Sequence, residues 1–398
     1  MIKSIVRYFK YFSNTLLKKE GRKILFRDFK WYLGLRKINF SDYEIVQKSN
    51  ALHSSANWLF KNQNFSNDYG FSTYRIIEGH TSSYPETSGY IIDSLLNYTL
   101  KYKKDKNISQ LIKCADWLIS IQKQSGGWQS GYVNETKSEV VFNTGQVIRG
   151  LLRVYKFTSE KKYLNSCIKA GDWLCMVQED DGSWKKFAFM NVARVYETYV
   201  SAPLLLLWQI TNEEKYKIAA EKNIKWVIKT KIKANGWFED CDNTIKHNSR
   251  PILHTIAYTL DGLIECANIL PNKDLVKNVM LGADEILKIF VSNNYLWGRY
   301  DDQWNPSESF ICTGGAQISI VWLKLYEISG DKKYLDGAKK MNSFLCAIQS
   351  ETLNMDIKIN GALQGSFPIW GRYEPFAFPN WATKYLLDAL MLEEDLNK

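Results

Sequence analysis

Residues 117–128 read WLISIQKQSGGW and residues 173–184 read WLCMVQEDDGSW. Both follow one pattern, with Trp117, Gln122, Gly126 and Trp128 in the first copy and Trp173, Gln178, Gly182 and Trp184 in the second. The pattern extends outward along the chain. Trp58, Trp226, Glu285 and Phe344 hold the position of the leading Trp, each opening an apolar helical stretch, and successive copies stand between 53 and 59 residues apart. Gln63 and Gln349 repeat the Gln, Lys231 and Phe290 replace it in two divergent copies, and Gly236-Trp237 and Gly70-Phe71 repeat the turn. Self-similarity at one period over nearly the whole chain means an array of a single supersecondary unit.

Each unit holds a second helix, predicted to start near Glu86, Asn143, Glu197, His254, Thr313 and Trp381. Stretches such as Leu204 to Trp208 and Ile318 to Trp322 are apolar almost all round, which marks a buried helix, so these six form an inner set. Three of the links returning to the next outer helix share a pattern, at Thr158 to Tyr163, Thr211 to Tyr216 and Ser329 to Tyr334, and their polar residues are expected to cap the helices that follow. Six helix pairs build either an open solenoid or a closed ring. A solenoid needs polar capping repeats, yet the last unit ends in the apolar helix Trp381 to Leu392 and the first is no more polar than its neighbours. The expected fold is all-α: a closed (α/α)6 toroid over residues 46–398, preceded by a basic N-terminal segment at 1–45.

Composition narrows the function classes. The net charge of +10 over 398 residues points toward nucleic acid only until the excess is located. Residues 1–40 carry eleven basic side chains against Glu20 and Asp28, and the rest of the chain is nearly neutral. No nucleic-acid-binding module is legible. Seven cysteines stand singly with no CxxC pair, the usage of a reduced, cytoplasmic protein. There is no signal-peptide pattern at the start and no apolar run of the length a membrane span needs.

The two full copies resemble the QW repeats of the terpenoid cyclase and protein prenyltransferase toroid superfamily. There the Gln and Trp tie the outer helix to the following turn, so the resemblance implies a fold rather than an activity. The catalytic signatures of those enzymes are missing: Asp240-Cys241-Asp242-Asn243 and Asp301-Asp302 are not the DxDD acid of class II cyclases. Asp240, Cys241 and His254 lack the spacing of the prenyltransferase zinc ligands. No metal or cofactor is therefore expected. The other large group of α/α rings acts on carbohydrate and includes six-hairpin glycosidases, unsaturated glucuronyl hydrolases, epimerases and polysaccharide lyases. In overall style the chain is similar to toroid proteins encoded with bacterial surface-polysaccharide assembly enzymes.

Inner helices of a ring run the same way, so the residues at their N-termini gather at one mouth. Carboxylates beside aromatic rings at such a mouth suit glycoside chemistry, where one acid protonates the leaving oxygen and a second group activates water or attacks. Glu86 and Glu197 are the leading catalytic pair. Each equally suits a helix cap, where the macrodipole favours an anion, and Arg194 has the charge to pair with Glu197. A lyase or epimerase would instead draw on Asn143, His254, Tyr258 and Arg372 to neutralise a uronate and abstract a proton; His254 also fits a hydrogen-bonded core histidine. Gln146, Tyr196, Gln317 and Trp381 complete the helix starts. Trp237, Asp240, Asp301, Trp304 and Tyr373 join Arg372 as substrate-binding candidates from the loops.

The expected function is a carbohydrate-active enzyme, a glycoside hydrolase or a uronate lyase or epimerase, acting on a glycan or glycolipid. An isoprenoid-handling toroid would need an apolar central cavity; a non-catalytic glycan-binding scaffold is the third reading. In the N-terminal segment, Ile2, Ile5, Val6, Phe9, Phe12, Leu16 and Leu17 recur at helical spacing among Lys3, Arg7, Lys10, Lys18 and Lys19. That is the pattern of a helix lying on an anionic membrane surface or of a clamp on the ring with Trp31 and Tyr32 docked.

Overall fold

The computed structural model describes residues 2–34, 45–63, 65, 68–350, 352, 355, 356 and 358–397. Residues 35–44, within the expected N-terminal segment, lie outside it. Two helices, α1 (Ile2–Leu17) and α2 (Lys19–Tyr32), precede twelve that alternate between two layers. The outer layer is α3 (Ile45–Gln63), α5 (Ile108–Ser120), α7 (Lys161–Met176), α9 (Glu214–Thr230), α11 (Lys273–Asn293) and α13 (Lys332–Ser350). The inner layer is α4 (Pro85–Lys101), α6 (Val141–Thr158), α8 (Thr198–Thr211), α10 (Leu253–Ile269), α12 (Cys312–Ser329) and α14 (Asn380–Leu396). Inner helices pack in chain order, α4 on α6 through to α12 on α14, and α14 packs back on α4. The architecture is an α/α toroid.

The repeated residues do the joining. Gln122 Nε2 donates to the Gly126 carbonyl of its own turn at 2.7 Å and to Ser166 of the next outer helix at 3.0 Å. Gln178 does the same to Gly182 and Ala219. Trp128 and Trp184 donate back to Leu118 and Leu174. The turn needs glycine: Gly126 has φ +109°, and a Cβ there would meet the Lys169 carbonyl oxygen at 2.4 Å. The leading Trp position lies in the C-terminal half of each outer helix rather than at its opening, because the Gln five residues on must reach the turn that follows.

The shared links act differently from expectation. Thr158, Thr211 and Ser329 accept from the backbone of Glu160, Glu213 and Asp331 in the turn, and neither Glu160 nor Glu213 caps its helix through a side chain. The conserved-looking Tyr of each link instead reaches an acid of the preceding outer helix, Tyr163 to Asp116, Tyr216 to Asp172 and Tyr334 to Asp284, at 2.7 to 2.8 Å.

Short strands, absent from the all-α expectation, stitch the loops at the mouth. β1 (Tyr74–Arg75) pairs antiparallel with β2 (Gly79–His80) and with β7 (Ala377–Phe378), joining the first repeat to the last. β3 (Arg299–Tyr300) pairs with β4 (Pro306–Ser307), and β5 (Phe310–Ile311) with β6 (Ser366–Phe367). The β1–β7 and β5–β6 pairings depend on loops brought together by the ring, which no local pattern announces, whereas β1–β2 and β3–β4 are local hairpins.

The N-terminal helices clamp the ring. Tyr8 and Phe12 pack on Phe376, and Trp31 packs on Phe367 and Tyr295 with ring centroids 4.6 and 5.1 Å apart. Asp28 is fully buried, paired with Arg27 and accepting from Gln364 and the Ile369 amide. Tyr32, expected on the outer helices, is exposed, with its ring edge near Trp370. No helix among the described residues is long and apolar enough to cross a membrane.

Candidate active site

A cavity of about 290 Å³ opens where the inner helices begin. Its wall takes Glu86 and Tyr90 from α4, Phe142 and Asn143 from α6, Tyr196 from the turn before α8, His254 and Tyr258 from α10, and Trp381 from α14. Tyr373 and Glu374 enter from the loop between β6 and β7. Local sequence sets these positions. Pro85 occupies the first turn of α4, where its missing N–H costs nothing, so Glu86 follows immediately and Tyr90 sits one turn deeper on the same side. The loop ahead of α10 is fixed by buried Asp242, which accepts from Arg299 at 2.8 Å and from the Ile252 amide at 3.0 Å.

Glu86 is the group with the most usable proton. Burial pushes its carboxyl up to about 7, against a hydrogen bond from Tyr84 that favours the anion. Its charge is felt by Tyr90, Tyr196, Tyr258 and Tyr373 around the wall, which puts it at the centre of the cavity. His254 is the complementary group. Burial lowers its imidazole to about 4, and Nδ1 lies 2.6 Å from Gln317 Oε1. An amide oxygen only accepts, so Nδ1 carries the proton and Nε2 keeps its lone pair.

Glu197 lies behind this wall. It is fully buried, does not line the cavity, and neither carboxyl oxygen finds a hydrogen-bond partner among the described residues. Burial and the nearby charge of Glu86 both raise it well above the usual carboxylate range, while Arg194 opposes them. Glu197 makes no cap hydrogen bond to α8. Arg194 is also buried but turns to Asn248 Oδ1 at 3.3 Å instead of bonding Glu197.

Of the residues singled out from sequence, Glu86, Asn143, Tyr196, His254, Tyr258, Tyr373 and Trp381 share the cavity. Gln317 stands one bond behind through His254, and Gln146 lies buried against the Tyr199 carbonyl. The loop candidates other than Tyr373 are elsewhere. Trp237 and Trp304 donate to the backbone of Tyr300 and Asn235. Asp240 pairs with Lys231, Asp301 with Arg250 and Arg372 with Glu308. Long polar loop residues find partners in their own or neighbouring loops, and loop conformation carries no period to reveal this. Tyr90, Val140, Phe189 and Asn243 line the cavity unforeseen. Tyr90 had a signal, its spacing of one helical turn from Glu86. Val140 and Phe189 also border a second, shallower depression of about 940 Å³ that carries Lys137, Lys185 and Lys186 and continues the cavity outward.

The family model described as Glycosyl Hydrolase Family 88 matches residues 112–251, from α5 to the loop before α10. No curated protein matches the chain. Among solved structures, an unsaturated glucuronyl hydrolase specific for heparin superposes with a TM-score of 0.68 at 12% identity, over 89% of this chain and 98% of that one. The unsaturated glucuronyl hydrolase of Bacillus sp. GL1 gives 0.66 at 14% identity, over 86% and 96%. An α-amylase from Clostridium perfringens gives 0.60 at 13% identity, over 86% and 97%, so the shared shape carries more than one activity. On these grounds the chain is an α/α toroid, and its segment 112–251 is similar to Glycosyl Hydrolase Family 88.

Proposed function

We propose that the protein is a glycoside hydrolase that acts on a uronate-bearing glycan, in bacterial surface-polysaccharide metabolism as its style of sequence suggests. The carrying observation is Glu86, a carboxyl on the cavity wall that still holds its proton near neutrality. Such a group donates a proton to a leaving oxygen without help from solvent. His254, neutral and with Nε2 unprotonated, is the base for the attacking water. Tyr84, Tyr196, Tyr258 and Tyr373 offer ring faces and hydroxyls suited to sugar. The parallel N-termini of the inner helices favour a bound carboxylate, and the outer depression, lined by Lys185 and Lys186 and by Glu139 and Glu179, offers polar contacts for further sugar units.

Hydrolysis is preferred to elimination or epimerisation because these need a cation at the uronate, and Arg372 is engaged by Glu308 outside the cavity. The polar wall likewise suits a glycan better than an isoprenoid. The test is incubation of the purified protein with uronyl oligosaccharides, saturated and unsaturated, followed by mass spectrometry. Water addition across the cleaved bond in the wild type, lost in Glu86→Gln, is the expected result. A newly formed unsaturated product from a saturated substrate would establish elimination instead.

A further inference from the structure

The hairpin of α1 and α2 has two faces. The inner face is consumed by the ring through Tyr8, Phe12, Ile24, Leu25, Asp28 and Trp31. The outer face is apolar as well: Phe9 is 72% exposed, Leu17 78% and Phe26 62%, with Phe29 and Leu33 continuing the stripe along α2. Contiguous exposed apolar side chains of this size mark an interaction surface rather than ordinary surface scatter. The same face is strongly basic. Lys10, Lys19, Arg22, Lys23 and Lys30 are exposed, and none forms an ion pair with another described residue. Arg27 and Asp28 pair with one another inside, which leaves Glu20 as the other acid within α1 and α2.

We infer that this outer face docks on an anionic lipid bilayer, with the apolar stripe entering the headgroup boundary and the lysines meeting lipid phosphates. Apolar burial and electrostatic attraction together are what hold an amphipathic helix on a membrane, and neither suffices alone. A second copy of the chain is the poorer occupant, because two such faces would bring like, uncompensated charges together. The clamp on the ring gives docking a further consequence. α1 packs on Phe376 and Trp370, in the loop that lends Tyr373 and Glu374 to the cavity, so the docked face and the cavity wall are joined through one loop. The inference stands independently of the glycosidase reading.

The test is co-sedimentation of the full chain with phosphatidylcholine vesicles, with and without about one-third phosphatidylglycerol. Binding at least about tenfold tighter to the anionic vesicles, weakened by high salt, is expected. The triple variant Phe9→Ser, Leu17→Ser, Phe26→Ser should lose that binding with its melting temperature unchanged, since all three side chains already stand in solvent. Lys19→Ser, Lys23→Ser, Lys30→Ser should lose it too, which covers an apolar variant that fails to fold. Equal binding to neutral vesicles, wild-type binding by both variants, or a concentration-dependent dimer in place of vesicle binding would overturn the inference.

Discussion

Gln349, near the end of the last outer helix, donates from Nε2 to Ser55 Oγ on the first outer helix at 2.7 Å and to the Gly361 carbonyl at 2.6 Å. Gln122 and Gln178 make the same two-way link between neighbouring repeats in mid-chain, so the final repeat treats the first as its next neighbour. Removing these two buried bonds by Gln349→Ala should cost roughly 1–3 kcal/mol, read as a lowered denaturant midpoint. Truncation after Leu335, which deletes most of α13 and all of α14, should abolish the cooperative melt. A sharp, near-native transition in the truncated chain would show that the repeats stack without needing one another.

Glu86→Gln preserves shape and removes the proton. A fall of about a hundredfold or more in kcat is expected for a true acid. The stability effect has a defined sign. Because burial raises the folded carboxyl to about 7 from 4.5, ionisation opposes folding as pH rises through that window. The variant should therefore melt higher than wild type at pH 8 and equal to it near pH 4.5; a lower melting temperature at pH 8 contradicts the assignment.

Glu197→Gln should differ from it. The side chain lies buried behind the wall and is replaced by an amide of the same size, so activity should stay within about threefold of wild type. Burial and the Tyr84 hydrogen bond set the Glu86 carboxyl, and Glu197 is not among its causes, so the alkaline limb of the rate profile should not move. A loss comparable to that of Glu86→Gln would return Glu197 to the catalytic pair.

The dependence of kcat/KM on pH should be bell-shaped, with an acid limb near 4 from His254 and an alkaline limb near 7 from Glu86. Gln317→Leu removes the acceptor that fixes Nδ1–H. It should shift the acid limb and lower kcat while leaving the alkaline limb in place. An unmoved acid limb would make Gln317 a packing residue only.

Asp28→Ala should destabilise by about 3–5 kcal/mol, because it leaves Arg27 buried without its partner. Deletion of residues 1–34 should also lower the melting temperature, because it strips Phe12 and Trp31 from the ring and leaves Gln364 and the Ile369 amide without Asp28. This departs from what a freely lying surface helix would do, and a fully stable deletion variant would show that the clamp contributes little.

Much of this was legible in the chain itself. The spacing of Trp117, Gln122 and Trp128, and its echoes, determined the number and order of the helices, because a period of identical side chains forces identical local structure. The apolar runs of α8 and α12 determined which helices lie inside, since only burial tolerates them. Glu86, Asn143, His254, Tyr258 and Trp381 came together as expected because inner helices in parallel bring their first turns to one mouth. Tertiary structure decided the rest. Glu86 is the second residue of α4 whereas Glu197 precedes α8, and one opens on the cavity while the other sits behind it, a shift in helix start that no periodicity encodes. Loop residues such as Asp301 and Arg372 took partners from other loops, and β1 paired with β7 across about 300 residues, Tyr74 with Phe378. Contacts of that range exist only once the ring has placed both ends side by side.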